Sequence, residues 1–171
     1  LSMRARCALK SSLAGSAAAW STHQKGGALP VFDAAAHSRV VDLVRSLVVS
    51  GSLGGIHDAS SGGLAVALAE MAVRSGVGVD VTGVPDTSHL FAELPSRVVV
   101  SVDDDDLEAL LARAESAGVP AVVLGRGGGS RFRIATGRDD ASPLVDLDLG
   151  EVTAAWRDRL PEALGTGTTQ A

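Results

Sequence analysis

Only one cysteine, Cys7, occurs among 171 residues, and tyrosine is absent. A lone thiol excludes an intramolecular disulfide framework and any multi-cysteine zinc site. Two Trp and three Phe are the whole aromatic complement, and 15 Lys plus Arg face 20 Asp plus Glu. A chain of net charge −5 with so few rings lacks the basic and stacking equipment of a nucleic-acid binder. No apolar run approaches the roughly 20 residues that span a bilayer, which excludes an integral helical membrane protein. No G-x-G-x-x-G stands between a strand and a helix, so dinucleotide binding has no support, and H-x-E, H-E-x-x-H and G-x-S-x-G are also missing. What is present is an ordinary balance, 46% hydrophobic and 20% charged, at a length that suits one domain with a sizeable core. The expectation is a cytoplasmic α/β-type domain.

Charge is unevenly spread. The first 30 residues contain no acid, and Arg4, Arg6, Lys10 and Lys25 precede Asp33, the first carboxylate. Arg4 and Arg6 before a small-residue run ending Ala17-Ala18-Ala19 have the outline of a targeting segment, but Lys10 interrupts its apolar stretch. The chain opens on Leu1, and residues 1–30 hold no convincing amphipathic element. The expected organisation is therefore a fragment: a connecting segment over 1–30, an α/β domain over 31–164 and a disordered tail over 165–171.

Along the domain, helices and strands alternate. Asp33 caps a helix whose Val40, Val41, Leu43, Val44, Leu47 and Val48 recur at helical spacing, with Gly51 at its end. Gly54 to Asp58 fits a strand end or turn, and Ser60-Ser61-Gly62-Gly63 opens a second helix from Leu64 to Arg74, stopped by Gly76. Strands are expected at Val77–Val81, Arg97–Val102, Val119–Leu124 and Arg131–Ala135, with loops at Pro85–Ser88 and Asp139–Pro143. The β-branched run Arg97–Val102 reads as a central strand. Asp103 to Asp106 suit the positive end of a helix running to Ala117; adjacent carboxylates on a first turn diverge, so no metal is expected there. Gly125 to Ser130 leads into a strand rather than a helix, which favours a hairpin over a phosphate loop. A last helix carries Val152, Trp156 and Leu160. The fold class that follows is α/β (α+β), a mixed sheet with packed helices.

Two segments carry the chemistry. In His57-Asp58-Ala59-Ser60-Ser61-Gly62-Gly63-Leu64, a polar turn feeds a helix whose first residues lack bulky side chains. Backbone N–H groups of Ser61, Gly62 and Gly63 could approach an anion; the plainer alternative is N-capping by Ser60 or Ser61 with glycines allowing close packing. His57 and Asp58 are adjacent on a strand and point to opposite faces, so they are assigned to structural hydrogen bonding in the turn, not to a catalytic pair. In Leu90-Phe91-Ala92-Glu93-Leu94-Pro95-Ser96-Arg97, Glu93 and Arg97 flank a proline-shaped turn, where they either pair with each other or face a ligand. No general base stands out, because His23, His37, His57 and His89 lie in unrelated settings.

Together the two segments resemble the final domain of the phosphoribosylformylglycinamidine synthase family (the large, synthetase component), whose usual forms are His-Asp-x-Ser-Asp-Gly-Gly-Leu and Leu-Phe-Gly-Glu-Ser-x-Ser-Arg. The resemblance runs from about Leu13 to Leu164; Leu13 to Ser16 and Gly26 to Asp33 look like the connection into that domain. It implies the C-terminal-domain fold of the aminoimidazole ribonucleotide synthetase superfamily. It also implies an ATP- and Mg²⁺-dependent amidation of formylglycinamide ribonucleotide in purine biosynthesis, using ammonia from a glutaminase partner. The family enzyme is several times longer, so its catalytic groups and metal ligands are expected in upstream domains, leaving this chain inactive alone and with an unusually apolar surface. The site residues implied for nucleotide or phosphate are Ser60, Ser61, Gly62, Gly63, Glu93, Ser96 and Arg97. Ser61 replaces the usual Asp, and Ala92 and Leu94 replace the usual Gly and Ser. Two alternatives stay open: a non-catalytic scaffold or dimerisation domain, and a domain of a related ATP-using synthetase of the aminoimidazole ribonucleotide or selenophosphate type.

Overall fold

A computed structural model describes residues 12–24, 26–136 and 143–166. Cys7, the bases at Arg4, Arg6, Lys10 and Lys25, most of the Asp139–Pro143 loop and the end of the tail lie outside the described residues. The elements run α1 (Ala17–Ser21), α2 (Ala34–Ser50), β1 (Gly55–Asp58), α3 (Gly63–Ser75), β2 (Val79–Val84), α4 (Thr87–Phe91) and β3 (Val98–Ser101). A 3-10 turn (Asp104–Asp106) then leads to α5 (Leu107–Ser116), β4 (Gly125–Gly127), β5 (Arg131–Thr136), β6 (Val145–Asp148) and α6 (Leu149–Ala163).

The helix ends follow their chemistry. The Asp33 carboxylate accepts from the Ala36 N–H at 3.0 Å, and Gly51 closes α2 in the left-handed region. Asp148 and Glu151 form a reciprocal capping box at the start of α6. Asp86 caps α4, and a hydrogen bond from the His89 side chain, reinforced by the His89 backbone N–H, holds its carboxyl below the ordinary 3.8.

Two sheets form among the described residues. A mixed four-stranded sheet has the order β4-β2-β5-β6, with β2 and β5 parallel and the outer pairs antiparallel. β1 and β3 make a separate antiparallel ladder from Gly55↔Ser101 to Asp58↔Val98. The core joins the sheets through α3: Leu64, Leu68 and Ala72 lie with Val81, Val84, Leu90, Val99 and Ile134 in one cluster.

Several sequence expectations are corrected. Arg97–Val102 is not central in the mixed sheet; its β3 portion pairs with β1, and its burial comes from the surrounding core side chains as well as the ladder. Val119–Leu124 is not a strand: Pro120 lacks a ladder donor, and the Leu124 carbonyl is taken by the N–H groups of Thr82 and Gly83 where β2 is irregular. The glycine-rich stretch is not a hairpin loop, since β4 and β5 sit on opposite sides of β2. Gly125 lies so close to β2 that a Cβ there would run into the Asp80 carbonyl, so the glycine serves strand contact. The Pro85–Ser88 loop gives way to α4 at Thr87, α1 forms within the N-terminal thirty residues, and β6 follows the polar loop.

Candidate functional site

The Ser60–Gly63 turn does not use a hydroxyl cap. Gly62 is the N-cap of α3 at φ +79°, so no side chain caps the helix there. A Cβ at this position would meet Val66, while one at Gly63 would come within 2.9 Å of the Leu90 and Ala92 carbonyl oxygens. The glycine pair therefore lets the start of α3 lie on the end of α4. The Gly63 N–H donates to the Ser60 carbonyl at 2.9 Å. The Gly62 N–H donates to Glu93 Oε1 at 2.8 Å, and the Ala17 N–H donates to the same oxygen at 2.8 Å. The chain's own carboxylate thus sits where the sequence allowed an external anion.

Glu93 is consequently held by two backbone amides, and Arg97 Nη1 donates to the Ala92 carbonyl at 3.3 Å. Between these residues Ser96 takes a left-handed backbone, φ +63°, unusual for a non-glycine residue. Its hydroxyl lies 2.8 Å from His37 Nδ1 on α2. Asp58 accepts a hydrogen bond from the Ser60 hydroxyl, the main reason its carboxyl is lowered from 3.8; its own backbone N–H and the nearby His57 add to this. His57 itself turns to α3, with Nε2 2.7 Å from Glu70 Oε2, and Glu70 Oε1 accepts from the Trp156 indole of α6 at 3.3 Å. The His57–Glu70–Trp156 contacts thus link β1, α3 and α6.

The two motifs meet in an open cleft of 450 Å³. One wall is the α2 stripe His37, Val40, Val41, Val44 and Arg45; the other is Asp58 to Ser60 and Leu94 to Val98. A deeper apolar cavity of 270 Å³ continues beneath it toward Leu47, Val100, Leu110 and Ala114. Of the sequence-predicted residues, Ser60, Ser96 and Arg97 line the cleft, while Ser61, Gly62, Gly63 and Glu93 do not. His37 and Arg45 were missed, because their part depends on how α2 folds back rather than on any local motif. Arg45, Arg97, Ser60, Ser96 and His37 are the cationic and neutral polar members of a largely apolar lining that also carries one carboxylate, Asp58.

Among the described residues no group of three or more His, Cys, Asp or Glu converges as a metal site, and no helix is long and apolar enough to cross a membrane. Comparison with known proteins bears on the same region. The family described as "AIR synthase related protein, C-terminal domain" matches residues 8–134, which include both turns. Phosphoribosylformylglycinamidine synthase subunit PurL of Rhodospirillum rubrum is 46% identical over 105 residues, covering 60% of this chain and 14% of that protein. The Rhizobium meliloti PurL is 36% identical over 159 residues, covering 84% and 21%. This chain therefore spans about a fifth or less of the length of these relatives. Among solved structures, T. maritima PurL complexed with ATP superposes with a TM-score of 0.59 at 17% identity, over 74% of this chain and 23% of that one. PurLQS from Thermotoga maritima gives 0.59 at 15% identity over 89% and 25%, a likeness of fold. The matched residues contain both turns and the cleft they build, and the chain belongs to the AIR synthase related protein, C-terminal domain family.

Proposed function

We propose that this chain works as the C-terminal domain of a PurL-type synthetase, an ATP-dependent C–N ligase that amidates formylglycinamide ribonucleotide in cytoplasmic purine biosynthesis. Residues 1–30 act as the connection from preceding domains, residues 31–164 as the domain, and a glutaminase component supplies the ammonia. The single observation that carries this reading is the meeting of the two family turns in one cleft, where Ser60, Ser96 and Arg97 together line the wall that faces α2. The relatives at 36–46% identity support the same assignment.

Within that assembly the cleft supplies polar contacts for a nucleotide or its phosphates: the Arg97 and Arg45 guanidiniums for charge, and the Ser60 and Ser96 hydroxyls for orientation. Such a group fits the cleft, whose lining includes two hydroxyls and two guanidiniums, better than the α3 turn, where Glu93 already takes the Gly62 amide. The described residues offer no convergent carboxylates for Mg²⁺. Bound Mg²⁺-ATP would activate the amide oxygen of the substrate for attack by ammonia, and metal ligation in that chemistry is assigned to the rest of the enzyme. The chain alone is accordingly inactive.

A non-catalytic scaffold role is the second reading, favoured by the self-occupied α3 turn and by Ser61 in place of the usual acid. Calorimetry separates the two. ADP is titrated into a mixture of this chain and R. meliloti PurL truncated before the matching part, with wild type compared against Arg97→Ala. Binding heat that Arg97→Ala removes supports the nucleotide reading. No heat from either mixture leaves the scaffold.

A further inference from the structure

We infer that Glu93 is a positioning residue, an internal clasp that fills the anion seat at the start of α3 and fastens the N-terminal segment to the rim of the cleft. One carboxylate oxygen receives two backbone N–H groups at 2.8 Å, from Gly62 and from Ala17, residues 31 and 76 positions away. Charge-assisted bonds of this kind are roughly twice as strong as neutral ones. The seat suits an anion because Gly62 is the N-cap of a 13-residue helix and makes no side-chain capping bond. Glu93 also belongs to the segment that forms the cleft: Leu94 follows it directly, and Ser96 and Arg97 lie three and four residues on. The arriving segment at Ala17, the α3 turn and the cleft rim are thus joined at one atom.

Two consequences follow. An external phosphate does not take the Gly62 amide while Glu93 holds it. Displacement of the N-terminal segment also pulls on the carboxylate next to the Leu94–Arg97 rim, which makes the clasp a route by which a preceding domain shifts Ser96. The backbone there is already held at φ +63° and has little freedom to absorb such a pull. The clasp does not depend on whether the cleft holds a nucleotide.

Amide hydrogen exchange on residues 1–171, followed by NMR, tests it in Glu93→Ala, Glu93→Gln and Ala17→Pro. Ala17→Pro is the clean probe. Ala17 is the first residue of α1, where proline is tolerated, Ser16 before it is already extended at ψ 157°, and the change deletes only the donor to Glu93. In Glu93→Ala the Ala17 and Gly62 amides should exchange together about tenfold faster while Ile134 in β5 is unchanged, and tens of millimolar formate should restore both. Glu93→Gln, which keeps an acceptor oxygen, should retain most of the protection. In Ala17→Pro the Gly62 amide should stay protected while residues 12–24 become protease-sensitive. Should Glu93→Ala fail to fold, the other two variants decide. Overturning results are acceleration at one amide only, a 12–24 segment as protease-resistant in Ala17→Pro as in wild type, or an Ala17 amide that loses its protection in wild type on adding inorganic phosphate.

Discussion

Helices α2 and α3 are made of similar residues and end in quite different places. α3 puts Gly63, Leu64, Ala67, Leu68, Ala72 and Val73 into the core, whereas the longer α2 buries Leu47 alone and leaves Val49 81% exposed. The cause lies at their starts. Two glycines bring α3 down onto the carbonyls of α4, whereas α2 enters from the exposed segment Leu29 to Phe32 and stands off β3 across the cleft. A helical stripe of Val and Leu therefore specifies a helix without specifying its neighbour. In α3 the stripe is core; in α2 it lines a cleft, and Val41, Val48 and Val49 are exposed, as are Leu29, Val31 and Phe32 before the helix.

The comparison breaks if the two helices respond alike to truncation. Leu68→Ala, at 2% exposure, should cost about 3 kcal/mol in urea unfolding, within the range for buried leucines. Gly63→Ala should cost about 2 kcal/mol, because the new Cβ meets backbone at 2.9 Å and the residue sits at φ +66°. Leu47→Ala should lose about 1–2 kcal/mol, at the low end because it borders an existing cavity. Val49→Ser should change stability by no more than about 0.5 kcal/mol. A Val49→Ser loss comparable to Leu68→Ala would mean that α2 is core after all.

The smallest effect is an acid limb. Asp58 and Asp86 have carboxyls lowered in the folded state, by the Ser60 hydroxyl and by the His89 side chain. Their contribution is fully present above the unfolded value near 3.8 and is lost as pH falls through the lower folded values. Wild-type stability should therefore dip below about pH 4, and the dip should shrink in Asp86→Asn.

How much of this was legible depends on the range of the interaction. The caps of α2 and the stop of α3 are local, and Asp33, Gly51 and Gly76 announce them. That Ser60, Ser96 and Arg97 line one cleft is not legible in either turn alone, since nothing in one specifies the other. Val119–Leu124 misled because β-branched residues read as a strand, whereas Pro120 and the bonding of the Leu124 carbonyl to β2 are decided by tertiary structure. The glycines of 125–129 read as a hairpin signal, whereas Gly125 serves close contact with β2, which needs the partner strand to be known. Glu93 was expected to pair with Arg97 or face a ligand. Its actual partners are backbone amides far away in sequence, and backbone amides carry no residue-type signature.

The central claim is that this chain is the C-terminal domain of a PurL-type synthetase, and turnover tests it most directly. Residues 1–171 are supplied with Mg²⁺-ATP, ammonia and formylglycinamide ribonucleotide, first alone and then with R. meliloti PurL truncated before the matching part. The account predicts no product from either component alone and amidation on mixing. Turnover by the isolated chain, or a mixture that stays inactive and forms no complex, would contradict it.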